Sequence, residues 1–179
     1  MHKPPHGHKT SQISLRDYIV DVPDFPKPPT VFRDISPLLR NYFSQTIKQL
    51  AALLTDEEWH SIDLIGGIEA RGFILAAGLA AIKHKGFVKI RKQGKLPGKV
   101  IKRNYSLEYG EDALEMQPGS GTMLIVDDVL ATGGTLATAA ELAKECGYGV
   151  QGFLCLINLR YLNNFSWNGL SAHTLIDYE

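Results

Sequence analysis

The stretch Met123-Leu-Ile-Val-Asp-Asp-Val-Leu-Ala-Thr-Gly-Gly-Thr135 limits what this chain can fold into more than any other segment. Met123 to Val126 is apolar without alternation, which predicts a strand buried on both faces. Two adjacent acids follow, then a small glycine-containing turn that runs directly into Thr135 to Cys146. That segment has Leu136, Ala139, Ala143 and Cys146 on one helical face, and Gly147 stops it where a left-handed residue is wanted. A doubly buried strand feeding a helix through a short turn belongs to an α/β architecture, in which ligands bind beyond the carboxyl ends of the strands.

The rest of the chain agrees with that class. Ile13 to Ile19 reads as a short helix. The proline-rich run Val22 to Pro29 forces extended backbone and presents Val31 to Asp34 on a loop. Phe43, Ile47, Leu50 and Leu54 mark one face of a helix over Tyr42 to Leu54, and Ile62 to Ile65 follows as a strand. Gly72 to Ile82 is apolar nearly all round, as for a helix buried against a sheet, and Phe87 to Ile90 is the next strand. From Arg91 to Arg103 the chain turns basic, and Gly94, Pro97 and Gly98 break regular structure. Tyr105, Leu107 and Tyr109 then alternate up to a turn at Gly110 to Asp112, so a mobile loop running into a hairpin is expected. Val150 to Ile157 supplies a further strand. The sum is a mostly parallel central sheet flanked by helices.

Length and charge bound the function. With 179 residues, 44% of them hydrophobic, one domain over residues 11–179 is expected after a polar, His- and Pro-rich tail at 1–10. His2, His6 and His8 in that tail receive no role. Nineteen basic residues balance nineteen acidic ones, which offers no broad positive field for nucleic acid or anionic membrane. No secretory signal is evident, and no apolar run approaches the roughly 18 residues of a membrane span. Cys146 and Cys155 lie among apolar neighbours without metal-type spacing, so reduced thiols and a cytoplasmic setting are expected.

The chemistry concentrates on the first motif. Gly133 and Gly134 let backbone approach an anion, Thr132 and Thr135 add hydroxyls, and the free N–H groups of the helix start favour negative charge; a monoester phosphate fits. Asp127 and Asp128 are like charges side by side and need a polar partner, such as a ribose diol with or without Mg²⁺. A P-loop nucleotidase is excluded, because G-x-x-x-x-G-K followed by Ser or Thr is absent and Gly98-Lys99 is followed by Val100.

The motif resembles the phosphoribosyl pyrophosphate (PRPP) site of type I phosphoribosyltransferases. The blocks Val31-Phe-Arg-Asp-Ile-Ser-Pro37, Ala70-Arg-Gly-Phe73, Ile90-Arg-Lys-Gln-Gly-Lys-Leu-Pro-Gly98, Tyr105-Ser-Leu-Glu-Tyr-Gly110 and Asp177-Tyr-Glu179 are similar to those of the adenine phosphoribosyltransferase family, in the same order. The resemblance implies the type I fold with a small N-terminal hood at about residues 11–40. The activity it implies is transfer of the phosphoribosyl group of PRPP to adenine, giving AMP and pyrophosphate in purine salvage.

Block by block, the resemblance places the 5′-phosphate on Ala131, Thr132, Gly133, Gly134 and Thr135, and the ribose hydroxyls on Asp127 and Asp128. It places pyrophosphate on Arg71, Arg91, Lys92 and Lys95, with a cis peptide near Glu69-Ala70. Adenine falls to backbone groups at Val31 and Arg33, to the ring of Phe32 and to Val129. Glu108 would handle the purine protons and Tyr109 would help close the loop. Mg²⁺ would be held mainly by ligand oxygens rather than by a protein cage, and a homodimer is implied. Glu69, Ala70 and Asn158 stand where the family more often has Asp, Ser and Glu, and Asn158 is assigned no role.

Two other readings stay open at this level. One is a phosphoribosyltransferase for another base such as xanthine or orotate, since a PRPP cradle does not identify the base. The other is a PRPP-sensing regulator without enzymatic activity. The hood block favours adenine, and the balanced charge disfavours a nucleic-acid surface.

Overall fold

The computed structural model describes residues 13–107 and 110–179. The chain divides into two compact units, a small one ending at Thr46 and a larger one running from Ile47 to Glu179.

In the small unit, a single 3₁₀ turn at Leu15–Tyr18 precedes β1 (Val20–Pro23), which pairs antiparallel with β2 (Val31–Asp34). The segment expected as a loop is therefore a strand: the prolines at 26, 28 and 29 turn the chain back so that Val22 faces Phe32 and Asp21 faces Arg33. Next comes α1 (Ser36–Ala51), which begins earlier than the apolar spacing predicts. Asp34 Oδ1 accepts from Ser36 N at 2.9 Å and Pro37 suits a first helical turn, so the start is set by capping rather than by apolar spacing. Tyr42, with φ −135° and ψ 27°, kinks the helix at the residue where the spacing predicts it to begin.

In the larger unit, α2 (Asp56–His60) opens on a capping box in which Thr55 and Glu58 bond reciprocally. Then follow β3 (Leu64–Ile68), α3 (Arg71–Lys83), β4 (Gly86–Lys92), β5 (Ile101–Leu107), β6 (Gly110–Met116), β7 (Thr122–Leu130), α4 (Gly134–Glu145), β8 (Gly149–Leu159) and β9 (Ala172–Tyr178). A seven-stranded sheet has the order β5-β6-β4-β3-β7-β8-β9. The run from β4 to β9 is parallel, and the β5–β6 hairpin adds to β4 antiparallel. The hairpin register pairs Tyr105 with Asp112, Ser106 with Glu111 and Leu107 with Gly110, so Gly110 to Asp112 lie in a strand rather than in the turn expected there.

The doubly buried strand is as read: Met123, Leu124, Ile125 and Val126 are all fully buried. Gly147, at φ 97°, ends α4 with Tyr148 N donating back to Ala143 O at 2.9 Å, the bond of a Schellman stop. Helix α3 is covered on one side by Leu75, Ala76 and Leu79, but Ile74, Ala77, Ala81 and Ile82 form an exposed apolar stripe. All-round apolarity there does not mean all-round burial within one chain.

Candidate active site

The site begins where β3 stops pairing. The ladder between β3 and β7 ends at Gly67↔Val126, whereas that between β7 and β8 continues to Leu130↔Asn158. Asp127, Asp128 and Val129 therefore lie inside β7, not after it, but beyond the end of the strand on one side. That is the crevice a parallel sheet leaves at its carboxyl edge. Gly72 at the start of α3 makes the closeness possible. A Cβ there would sit 2.8 Å from the Val126 carbonyl oxygen and 3.0 Å from Asp127 Oδ1.

That approach brings Arg71 to the acids. Its Nη2 lies 2.7 Å from Asp128 Oδ2, an ionic contact whose angle falls short of a hydrogen bond. Asp127 Oδ1 accepts from the Asp128 backbone N–H at 2.8 Å. Burial, with the neighbouring Asp128 charge, pushes the Asp127 carboxyl well above the usual range. Burial also raises Asp128, with Arg71 opposing. The pair is poised to gain from a hydroxyl donor or a cation.

Beyond the acids the chain forms the turn. Gly133, at φ 88°, is the N-cap of α4 and no side chain caps the helix there. Thr132 and Gly134 are exposed and Thr135 is half-buried in the first turn. The first N–H groups of α4 are thus left for an anion. A cavity of about 340 Å³ lies at this point, lined by Thr132, Gly133, Gly134, Ala137, Asn164, Phe165 and Ser166. The last three belong to the β8–β9 connection, which sequence reasoning assigned to nothing.

The basic segment is held by two acids. Glu69 takes Arg91 in a two-pronged grip, Nη2 to Oε1 at 2.8 Å and Nε to Oε2 at 3.2 Å, and also accepts from Lys92 N at 3.0 Å. Arg91 holds the Glu69 carboxyl below its ordinary range. Arg91 Nη1 donates to Lys95 O at 2.9 Å, so this guanidinium spans the first strand-end loop and the basic loop. The Glu69–Ala70 peptide is cis, as the resemblance implied. The second acid is Glu115 on β6, buried at 1% exposure, which accepts from the backbone N–H groups of Gly94, Lys95 and Leu96 at 3.0, 2.6 and 2.6 Å. Sequence reasoning missed Glu115, although an acid within Ala113-Leu-Glu-Met116 was a usable signal. Lys95 itself is exposed.

In the small unit, Val31, Phe32 and Arg33 lie on β2. Arg33 pairs with Asp21, and the Phe32 ring stands edge-on to Phe25 with centroids 5.2 Å apart. Glu108 and Tyr109 lie outside the described residues. Among the described residues no group of three or more His, Cys, Asp or Glu side chains could hold a metal.

Comparison with known proteins agrees with this architecture. The phosphoribosyl transferase domain family matches residues 39–160. An adenine phosphoribosyltransferase of Hydrogenovibrio crunogenus is 47% identical over 169 residues, covering 94% of this chain and 98% of the relative. Among solved structures, adenine phosphoribosyltransferase from Thermoanaerobacter pseudethanolicus aligns with a TM-score of 0.81 at 37% identity, over 92% of this chain and 98% of that one. The Saccharomyces cerevisiae enzyme, solved with adenine and an imino-altritol bisphosphate, aligns at 0.78 and 34% identity, over 90% and 95%. A doubly acidic strand end, an uncapped glycine turn and relatives matched over nearly their full lengths lead to one assignment: this chain belongs to the adenine phosphoribosyltransferase family.

Proposed function

We infer that the protein transfers the 5-phosphoribosyl group of PRPP to adenine, releasing pyrophosphate and forming AMP, a purine salvage reaction. The observation that carries this reading is the uncapped α4 N-terminus directly after half-buried Asp127 and buried Asp128, with Arg71 already against Asp128. One bond forms, from the purine imidazole nitrogen to the anomeric carbon, and one breaks, from that carbon to the diphosphate oxygen, which keeps the electron pair. The purine loses its N–H proton. Charge on the sugar is cationic in between, so the protein must hold both reactants in line and stabilise the leaving anion.

Ala131 to Thr135 bind the 5′-phosphate through the free helix N–H groups and the Thr132 and Thr135 hydroxyls. Asp127 and Asp128 accept from the ribose hydroxyls. Arg71 shifts its contact from Asp128 to the diphosphate, and Lys92 and Lys95 supply further positive charge. Arg91, engaged by Glu69, contributes by fixing the basic loop as well as by its charge. Val31, Phe32 and Arg33 receive adenine, with Val129 as a further contact, and Glu108 takes the purine proton while Tyr109 closes over the ligand. Mg²⁺ would be held mainly by ligand oxygens, with the Asp127 and Asp128 carboxylates as the protein groups available to it, and would supply charge neutralisation for the diphosphate.

We further assign the working form as a homodimer, which the exposed apolar stripe of α3 supports, and a reducing compartment such as the cytoplasm, which the two buried free thiols support. No helix among the described residues is long and apolar enough to cross a membrane.

The test is to incubate the protein with PRPP, Mg²⁺ and, separately, adenine, hypoxanthine, guanine, xanthine or orotate, following nucleotide and pyrophosphate. AMP from adenine alone is expected. A different nucleotide would relocate the error to the base-reading block at Val31 to Arg33, and PRPP binding without any product would favour a sensor.

A further inference from the structure

The β8–β9 connection holds the phosphate turn through a side chain not yet given a role. Asn163 Nδ2 donates to Ala131 O at 2.6 Å, and it also meets Leu159 O at 3.0 Å and Asn158 Oδ1 at 3.1 Å, while its Oδ1 accepts from Phe165 N at 3.1 Å. Three acceptors around the nitrogen and a backbone N–H at the oxygen fix which way the amide lies. Asn158 in turn bonds Asp177, which Thr174 Oγ1 at 2.8 Å and Arg160 at 2.8 Å also engage. The Phe165 ring covers the other part of the turn: a Cβ on Gly133 would be 2.5 Å from its Cδ2.

The location gives these contacts their meaning. The β7–β8 ladder ends at Leu130↔Asn158, and helical bonding resumes with Ala137 N to Gly133 O at 3.0 Å. Ala131 and Thr132 form the span between, and Asn163 grips its first carbonyl. An amide at 158 suits the task. It offers an acceptor to Asn163 and a donor to Asp177 without placing another negative charge beside a bound phosphate.

We propose that Asn163 is a positioning residue for the 5′-phosphate: it fixes the Ala131–Thr132 span so that the free N–H groups of α4 meet the phosphate, and Asn158 orients it. The proposal rests on the phosphoribosyl-transfer reading for the identity of the ligand, and on the hydrogen bonds alone for the role of the residue. A misplaced turn weakens phosphate binding without touching the base.

The test compares wild type with Asn163→Leu, which keeps the approximate size and adds no charge but cannot donate to Ala131, and with Asn158→Leu, which removes the orienting partner. Ribose 5-phosphate binding is measured by calorimetry, and KM for PRPP and for adenine separately. For N163L, Kd for ribose 5-phosphate and KM for PRPP should rise about tenfold, the worth of one hydrogen bond to a well-placed turn, with KM for adenine unchanged. N158L should show the same split at about threefold, and it decides the matter if N163L does not fold. Unchanged ribose 5-phosphate binding in the folded variants, or KM values for PRPP and adenine that rise together, would overturn the proposal. If wild type binds ribose 5-phosphate yet makes no AMP, the activity reading fails while the same Kd comparison still decides the role of Asn163. If wild type does not bind ribose 5-phosphate, both fall.

Discussion

Glu115 shows how much a single buried side chain can organise. Burial alone would push its carboxyl up, yet the N–H groups of Gly94, Leu96 and Lys95 outweigh that and leave it below its ordinary range. A depressed carboxylate adds stability that is fully present above its unfolded value and is lost as pH falls through its folded value. Glu115→Gln should therefore lower stability by about 2 kcal/mol near neutrality, since an amide nitrogen turns one set of accepted bonds into donor against donor. Chemical denaturation from pH 7 down to about pH 3 should show the gap between variant and wild type narrowing below about pH 5, where the Glu115 carboxyl of the unfolded chain begins to gain its proton while the folded one still resists. A constant gap would mean that shape, not charge, is what Glu115 contributes. Asp127 and Asp128 carry the opposite sign: their raised values favour the protonated form, so they do not add to the acid limb of the wild-type curve.

At the level of elements, the junction of α3 with β7 is the tightest constraint. Gly72→Ala places a methyl 2.8 Å from a strand carbonyl, and backbone cannot yield as a flexible side chain does. The expected cost is about 1–3 kcal/mol, read as a lower thermal midpoint, together with weaker PRPP binding because Arg71 moves with its helix. Full stability with full binding would show that α3 adjusts freely. The same comparison explains what the sequence revealed. Uninterrupted apolar runs such as Met123 to Val126 and glycines at helix ends such as Gly147 depend on neighbours in sequence, so strands β3, β4, β7 and β8 and helices α3 and α4 were legible. Strand β2 was read as a loop because the partner that makes it a strand, β1, lies across a proline-rich turn. Strand β9 was not anticipated; its pairing with β8 is decided across the 3₁₀ turn at Arg160–Leu162 and the loop after it. In the site, Asp127, Asp128 and the glycine turn were legible as chemistry; Glu115 was signalled only as an acid inside an apolar strand, with nothing to say which backbone it would hold, and Asn163 acts on the backbone of Ala131 far along the chain, which no local pattern encodes.

At the level of the whole molecule, the α3 stripe is the surface that one chain leaves unfinished. Ile74 and Ile82 are 42% and 45% exposed, and Phe87 on β4 is 40% exposed. Size-exclusion chromatography with light scattering should return twice the 19.8 kDa of the chain for wild type, and the monomer mass for the double variant Ile74→Glu, Ile82→Glu. A dimer that survives both charges would move the interface elsewhere.

The β5–β6 hairpin has a different kind of incompleteness. It joins the sheet through Arg91↔Glu115 and Lys92↔Leu114, with Gln93 N to Ala113 O as an added bond, and the rest of its ladder runs outward with only its own two strands for partners. Helix α4 lies along it as well, and Arg103 on β5 pairs with Glu145 at the end of that helix. Glu115 sits where the hairpin meets the sheet and grips the basic loop, so hairpin, helix and loop form one connected body, and a strain applied to any of the three is shared by the other two.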